Sequence, residues 1–339
     1  AMLFRFGERT FREENYDGAL VYYDRIAASY TNSPVFLEAL NKIAFCHALN
    51  KAHVKEVKGL DRYIAALQAK GETKAKLIGA KFRLATAYKN LLIERFPEEE
   101  KGIRSFVDEI VGVSEDVNRL AHKENHFVRL LFPFQYAKLW RVRRKTLEDL
   151  LDEHVRNREL RSLLSAIWPY YGLPPSRLSA FFFSVATGNY LANGGHYPRG
   201  RSQDISDAFV KIIEQSGGRI QLETRVDEIM LKRGAAIGVV DDQGKEYDAR
   251  AVVSNASAPT TMLNLLPDGT LSGDFKEKLR TYRPSLSSFV VWLGLDDDIT
   301  DRVPQAETFI TSSHDPETDY AHCLNADAEN ASIAVTVYD

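Results

Sequence analysis

The chain has 339 residues, and its 44 Lys+Arg against 47 Asp+Glu give a formal charge of −3, which excludes a nucleic-acid binder that works through overall basicity. At 44% hydrophobic and 27% charged residues the composition is ordinary for a folded protein and excludes wholesale disorder. No apolar run reaches the ~18 residues of a spanning helix. Ala1-Met2-Leu3-Phe4-Arg5 lacks a basic stretch followed by a long apolar one, so no secretory leader is expected, and Cys46 and Cys323 read as neither a metal pair nor a disulfide framework. The expectation is a soluble, cytoplasmic protein, at most peripheral to a membrane.

Residues 1–75 read as helical. Tyr16, Ala19, Leu20, Tyr23 and Ile26 share one face, and Phe36, Ala39, Leu40, Ile43 and Ala44 share another after the break at Asn32-Ser33-Pro34. The spacing of Gly7, Ala19 and Tyr23 resembles a tetratricopeptide unit, where a small residue lets paired helices approach. Glu14–Leu20 through Ser33-Pro34 is also similar to repeats of outer-membrane assembly lipoproteins. Beyond Cys46 the pattern fades, so a generic helical hairpin stands beside a true repeat. Either would suit a protein partner at 1–75.

Lys70–Lys74 is a polar seam, and a second region, 76–215, continues helical. Pro97-Glu98-Glu99-Glu100 suits a helix start, with Ile103, Phe106, Val107 and Ile110 as its buried stripe. Residues 126–145 crowd rings and leucines around Pro133, then add cations after Trp140. That mix suits peripheral membrane contact, or an internal helix with a solvated basic end.

The third region, 216–339, alternates. Arg219–Thr224, Val226–Leu231, Ala236–Val240 and Ala251–Ser254 read as an antiparallel meander ending in a buried strand. Ser288–Leu295 and Ala331–Tyr338 read as two more strands. The fold class expected is α+β: helical hairpin repeats first, then helices with a mostly antiparallel sheet.

Asn193-Gly194-Gly195-His196-Tyr197-Pro198-Arg199-Gly200-Arg201-Ser202 is the most informative stretch. Its glycines allow close backbone approach to a flat ligand, and a helix N-terminus follows. A tight turn into a surface helix explains it equally. His196 is a candidate proton donor, or a hydrogen-bonded loop residue. His122 and His126 stand one helical turn apart without a third ligand, and Asp296-Asp297-Asp298 with Asp315 lacks calcium-loop spacing, so no metal is expected.

From about residue 88 onward the chain resembles the phytoene desaturase, carotenoid isomerase and retinol saturase family. The matching pieces are Phe96–Glu100, Tyr170-Tyr171-Gly172-Leu173-Pro174-Pro175, the Gly194–Gly200 loop, Gly217-Gly218-Arg219-Ile220 with Val226–Ile229, and Ala251–Ala256. The resemblance implies FAD as cofactor, an apolar polyprenoid-like substrate and oxidoreductase activity. It places Gly194, Gly195, Tyr197, Pro198 and Gly200 beside flavin and substrate. It places the Val226 strand against the adenine, and the Asn255-Ala256 turn on the way back to the nucleotide. Arg201 departs from the family's second glycine, and no Gly-x-Gly-x-x-Gly follows a strand, so weak FAD binding by this chain alone is expected. Tyr170, Tyr171, Phe181–Phe183 and Tyr190 would suit an apolar tunnel or an ordinary core. The competing readings are a helical-repeat interaction module and a fused fragment without function as a unit.

Overall fold

The computed structural model describes residues 2–121, 128–194, 198, 200–282, 285–296 and 307–336. Two compact units emerge: residues 1–195 with 286–339, and residues 196–285. The fold class is α+β, mostly helical with two small antiparallel sheets.

The first unit begins with α1 (Met2–Arg12), α2 (Tyr16–Ser29), α3 (Phe36–Leu49), α4 (His53–Ala69) and α5 (Lys74–Arg95), each packed on the next. Asn15 caps α2 by accepting from Gly18 N at 2.9 Å. Ala19, Leu20, Tyr23 and Ile26 are buried with Phe36, Ala39, Leu40 and Ile43, the faces that three- and four-residue spacing predicts. A Cβ at Gly7 would lie 2.7 Å from the Tyr23 ring, so glycine permits the α1–α2 approach. Tyr23 OH donates to Glu8 at 2.6 Å, and Lys42 pairs with Glu8 at 2.8 Å, tying α1 to its neighbours. The helical spacing runs on into α4, which buries Val57, Leu60, Ile64 and Leu67. Lys70–Thr73 is the turn between α4 and α5.

Pro97–Glu99 forms one tight turn that leads into α6 (Glu100–Ala121). Then follow α7 (Val128–Gln135), α8 (Ala137–Val142), α9 (Leu147–His154), α10 (Arg158–Ser165) and α11 (Ala180–Asn193). Phe106, Ile110, Val113, Tyr136, Leu139, Val142, Leu147, Leu150 and Phe183 form the main core. Buried Glu99 accepts from Arg156 N at 2.9 Å and Asn157 N at 2.6 Å, closing the α9–α10 turn from outside. Asp116, also buried, accepts from Leu139 N at 3.1 Å and so caps α8, whose own N-cap residue offers no side-chain bond. Residues 307–336 return to this unit as β4 (Thr308–Ile310), α14 (Pro316–Leu324) and β5 (Ile333–Val335), with β4 and β5 antiparallel. Ser176 N and Oγ donate to Glu317 at 3.0 and 2.8 Å, and the Tyr320 ring meets Trp168 edge-on at 5.9 Å.

The second unit holds α12 (Gln203–Gln215), then β1 (Val226–Lys232), β2 (Ala235–Asp241) and β3 (Glu246–Asp248) in that order, all antiparallel. A wide helical turn, Thr260–Leu265, packs on β1, and α13 (Gly273–Arg280) follows. Positive φ at Arg233 and Gly234 makes the β1–β2 turn, whose twist matches that of the strands. Asp241 holds the next turn by accepting from Gln243 N, Lys245 N and Tyr247 OH, each at 2.9 Å. The bond from the Lys245 backbone leads in keeping its carboxyl below the usual range.

Three expected strands are absent as strands. Residues 219–224, 251–254 and 288–295 join no sheet. Far from being buried, Val253 is 95% exposed and Phe289 93% exposed. Apolar runs of this kind read as strands covered on both faces, but a strand needs a neighbour to complete its backbone hydrogen bonds. Among the described residues none pairs with these segments in a sheet. Of the last expected strand, Ile333–Val335 is strand, and Val337 and Tyr338 lie outside the described residues.

Candidate functional site

The expected site residues divide between the two units. Gly194 belongs to the first, where it ends α11 at φ 73° and donates its N–H to Tyr190 O at 2.8 Å. A Cβ there would lie 2.5 Å from the Lys81 side chain. Pro198, Gly200, Val226, Asn255 and Ala256 belong to the second. Gly195, His196 and Tyr197 lie outside the described residues, as do His122, His126, Asp297 and Asp298.

Gly200 holds a backbone conformation that favours glycine, with the flexible Asp204 carboxylate against it. Its φ is 82°, and a Cβ would fall 1.6 Å from the Asp204 carboxylate. Arg201 follows at φ 72°, a conformation that costs a side chain about 1–2 kcal/mol. Arg201→Gly removes that cost but loosens the unfolded chain, so urea unfolding should show a gain of about 0.5–1 kcal/mol. A loss would mean that the arginine side chain makes a compensating contact.

Val226 opens β1 opposite Asp241. Asn255 and Ala256 are exposed in the segment leading to the turn that packs on β1; Ala256 N donates to Ser254 Oγ at 3.3 Å, and Ser254 Oγ meets Thr261 Oγ1 at 2.7 Å.

These residues do not form a diphosphate cradle. Among the described residues no glycine turn joins a strand to a helix. The turn that opens α12 is filled by the chain's own Asp204 carboxylate, which would repel a phosphate. The described residues therefore do not fit the diphosphate end of FAD.

The predicted aromatic cluster separates into two populations. Phe183 is in the core, and Tyr171 packs against it at 5.5 Å while sharing a hydrogen bond with Thr187 Oγ1 at 2.8 Å. Burial pushes the Tyr171 phenol up. Phe182, Ala186 and Tyr190, four residues apart, form an exposed stripe along α11. Tyr170 is exposed as well and meets Phe309 edge-on at 5.2 Å.

The ring-and-cation stretch is likewise divided. Tyr136, Leu139 and Val142 are core residues, while Leu131, Phe134 and Trp140 are exposed, Phe134 to 83%. Arg143 lies 3.4 Å over the Trp140 ring, and Arg141 pairs with Glu109 at 2.8 Å. Among the described residues no helix is long and apolar enough to cross a membrane, and no His/Cys/Asp/Glu cluster could hold a metal. Asp315, weighed above for calcium, caps α14 by accepting from Glu317 N at 3.3 Å and Thr318 Oγ1 at 2.7 Å.

One charged cluster escaped the sequence reading. Ser105 Oγ donates to Gly102 O at 3.1 Å and lies 2.7 Å from His154 Nδ1, so Nδ1 carries the proton. Nε2 then faces Arg141 Nη2 at 3.4 Å as an acceptor. Burial, then Arg141, pushes this imidazole below its usual 6.5; Glu109 and Glu153 oppose the shift and Lys145 adds to it. Burial lowers His47 in the same way. The unfolded chain therefore takes up these protons first, and the contribution of these two groups to stability falls as pH drops below about 6.5 and is constant above it. Urea midpoints between pH 5 and 7.5 should show this slope, and His154→Gln should flatten it. An unchanged slope in a His47→Gln/His154→Gln double variant would remove both from the account.

Residues 94–327 match the family described as flavin containing amine oxidoreductase. All-trans-retinol 13,14-reductase of Homo sapiens is 29% identical over 261 residues, covering 72% of this chain and 40% of that protein. A 4,4'-diapophytoene desaturase of Methylomonas is 27% identical over 159 residues, 46% of this chain and 30% of that protein. A neurosporene-forming phytoene desaturase of Rhodobacter capsulatus is 41% identical over 102 residues, 30% of this chain and 20% of that protein. The chain thus spans about two-fifths of the length of the human relative it matches.

Proposed function

The chain belongs to the flavin containing amine oxidoreductase family, and on that premise we propose that it supplies the substrate-facing part of an FAD-dependent oxidoreductase acting on an apolar polyprenoid. The family match carries this reading, since the relatives are named for retinol and phytoene chemistry. FAD would supply the redox chemistry when bound, and the described residues make no place for its diphosphate.

What this chain contributes is a surface. The stripe Phe182, Ala186 and Tyr190 on α11 offers an extended apolar molecule a wall of rings, each ring able to cover roughly 150–250 Å². Leu131, Phe134 and Trp140, with Arg143 beside them, suit shallow contact with an anionic bilayer. The Gly7–Tyr23 approach supports reading α1 to α5 as a repeat array that docks a protein partner.

All-trans-retinol added to the full chain should quench tryptophan fluorescence saturably by energy transfer. Phe182→Ser with Tyr190→Ser should weaken that binding about tenfold, roughly 1.4 kcal/mol. Non-saturable transfer, or full affinity in the double variant, would overturn the wall. FAD titrated alone is expected to bind weakly, read from flavin fluorescence.

A further inference from the structure

A cleft of about 430 Å³ opens in the first unit between α10 and the residues that lead into α14. Arg158, Arg161, Ser162 and Ser165 line it from one face of α10, at helical spacings of three and four. Glu148 of α9, with Asp315 and Glu317, lines it with the opposite charge, and His314 stands among them.

Residues of both signs share this space, yet among the described residues no ion pair joins the two sets. Arg161 is neutralised elsewhere, by Asp152 at 2.6 Å. Glu317 is held by Ser176, and Asp315 by Glu317 N and Thr318. The side chains of Arg158, Ser162, Glu148 and His314 have no hydrogen-bond or ion-pair partner among the described residues. The volume is within the range of small-molecule sites. A simple anion would satisfy Arg158 but meet three carboxylates, and a simple cation would meet the reverse.

We propose that this cleft binds a zwitterionic small molecule of amino-acid or dipeptide size, its carboxylate against Arg158 and Ser162 and its ammonium against Glu148. The planar guanidinium suits a carboxylate in bidentate contact. Leu151, Pro175 and Pro316 supply an apolar lining for the side chains of such a ligand. The site uses no flavin, so its test is separate from that of the redox reading.

Isothermal titration of the full chain at pH 7 with leucyl-leucine should give saturable binding. Acetyl-leucyl-leucine lacks the ammonium and leucyl-leucinamide the carboxylate, and each should bind at least tenfold more weakly. Arg158→Gln and Glu148→Gln should each weaken leucyl-leucine binding at least tenfold while leaving the circular dichroism spectrum unchanged. Neither side chain holds another residue, so both variants should fold. Absence of binding at millimolar dipeptide would overturn the proposal. So would inorganic phosphate or the acetylated peptide binding as tightly as the zwitterion, or undiminished affinity in folded Arg158→Gln.

Discussion

Gly188→Leu is expected to force α6 and α11 apart and to cost the helical unit at least about 3 kcal/mol. A Cβ at this position would lie 2.6 Å from the Ile110 carbonyl oxygen and 2.9 Å from Ser114 Cβ. The first obstacle is helix backbone, which cannot swing aside like the end of a lysine. Overpacking usually costs about 1–3 kcal/mol, and four added carbons against backbone belong at or above the top of that range. Against a total stability of about 5–15 kcal/mol such a loss is large. Gly188→Ala should cost less, because it adds one carbon where leucine adds four, while both recover close to about 1 kcal/mol of helix propensity over glycine. Urea unfolding followed at 222 nm would rank the three proteins. A wild-type midpoint for Gly188→Leu would show that the two helices do not meet at this residue.

Trp168→Ala is the second large effect, at about 3–5 kcal/mol. The indole is 2% exposed and meets the Tyr320 ring of α14 at 5.9 Å. Its loss leaves a cavity under the returning segment, whose other ties include the Glu317–Ser176 bonds and the Tyr170–Phe309 ring contact. Brief proteolysis should therefore cut within 307–336 sooner in Trp168→Ala than in the parent chain. Trp168→Phe keeps a ring and should restore most of the protection. Equal cutting rates in parent and Trp168→Ala would mean that α14 is held without the indole. Because His314, Asp315 and Glu317 line the charged cleft, the same variant should also weaken any ligand found there.

Much of the helical half was legible in the residues. Three- and four-residue spacing marks the buried faces of α2 and α3, and Pro97 with its acidic followers marks the approach to α6. Asp241–Gly244 marks a turn between β2 and β3. Family membership was legible for a different reason: motif strings in a fixed order are a one-dimensional signal. The helical reading of residues 1–75 covers α4 as well, whose buried Val57, Leu60, Ile64 and Leu67 keep the same spacing.

The missed strands share one cause. Ser288–Leu295 has the composition of a covered strand, but pairing is a property of two segments and not of one. The His154 cluster was invisible for a related reason, since Ser105 and His154 stand 49 positions apart and neither is unusual locally. In the glycine loop Gly194 and Gly200 take positive φ. Only the fold showed that Asp204 fills the space above Gly200.

By itself the sequence determined that the chain up to about residue 215 is mainly helical, where the first core faces lie and to which family the chain belongs, because periodicity and motif order are local and serial; it did not show α13 and α14. Tertiary structure alone decided which apolar runs find partners, which glycines are close approaches, and that α10 faces residues 314–317 across a charged cleft. Those outcomes depend on distances between residues remote in the chain, and such distances are set by packing the whole.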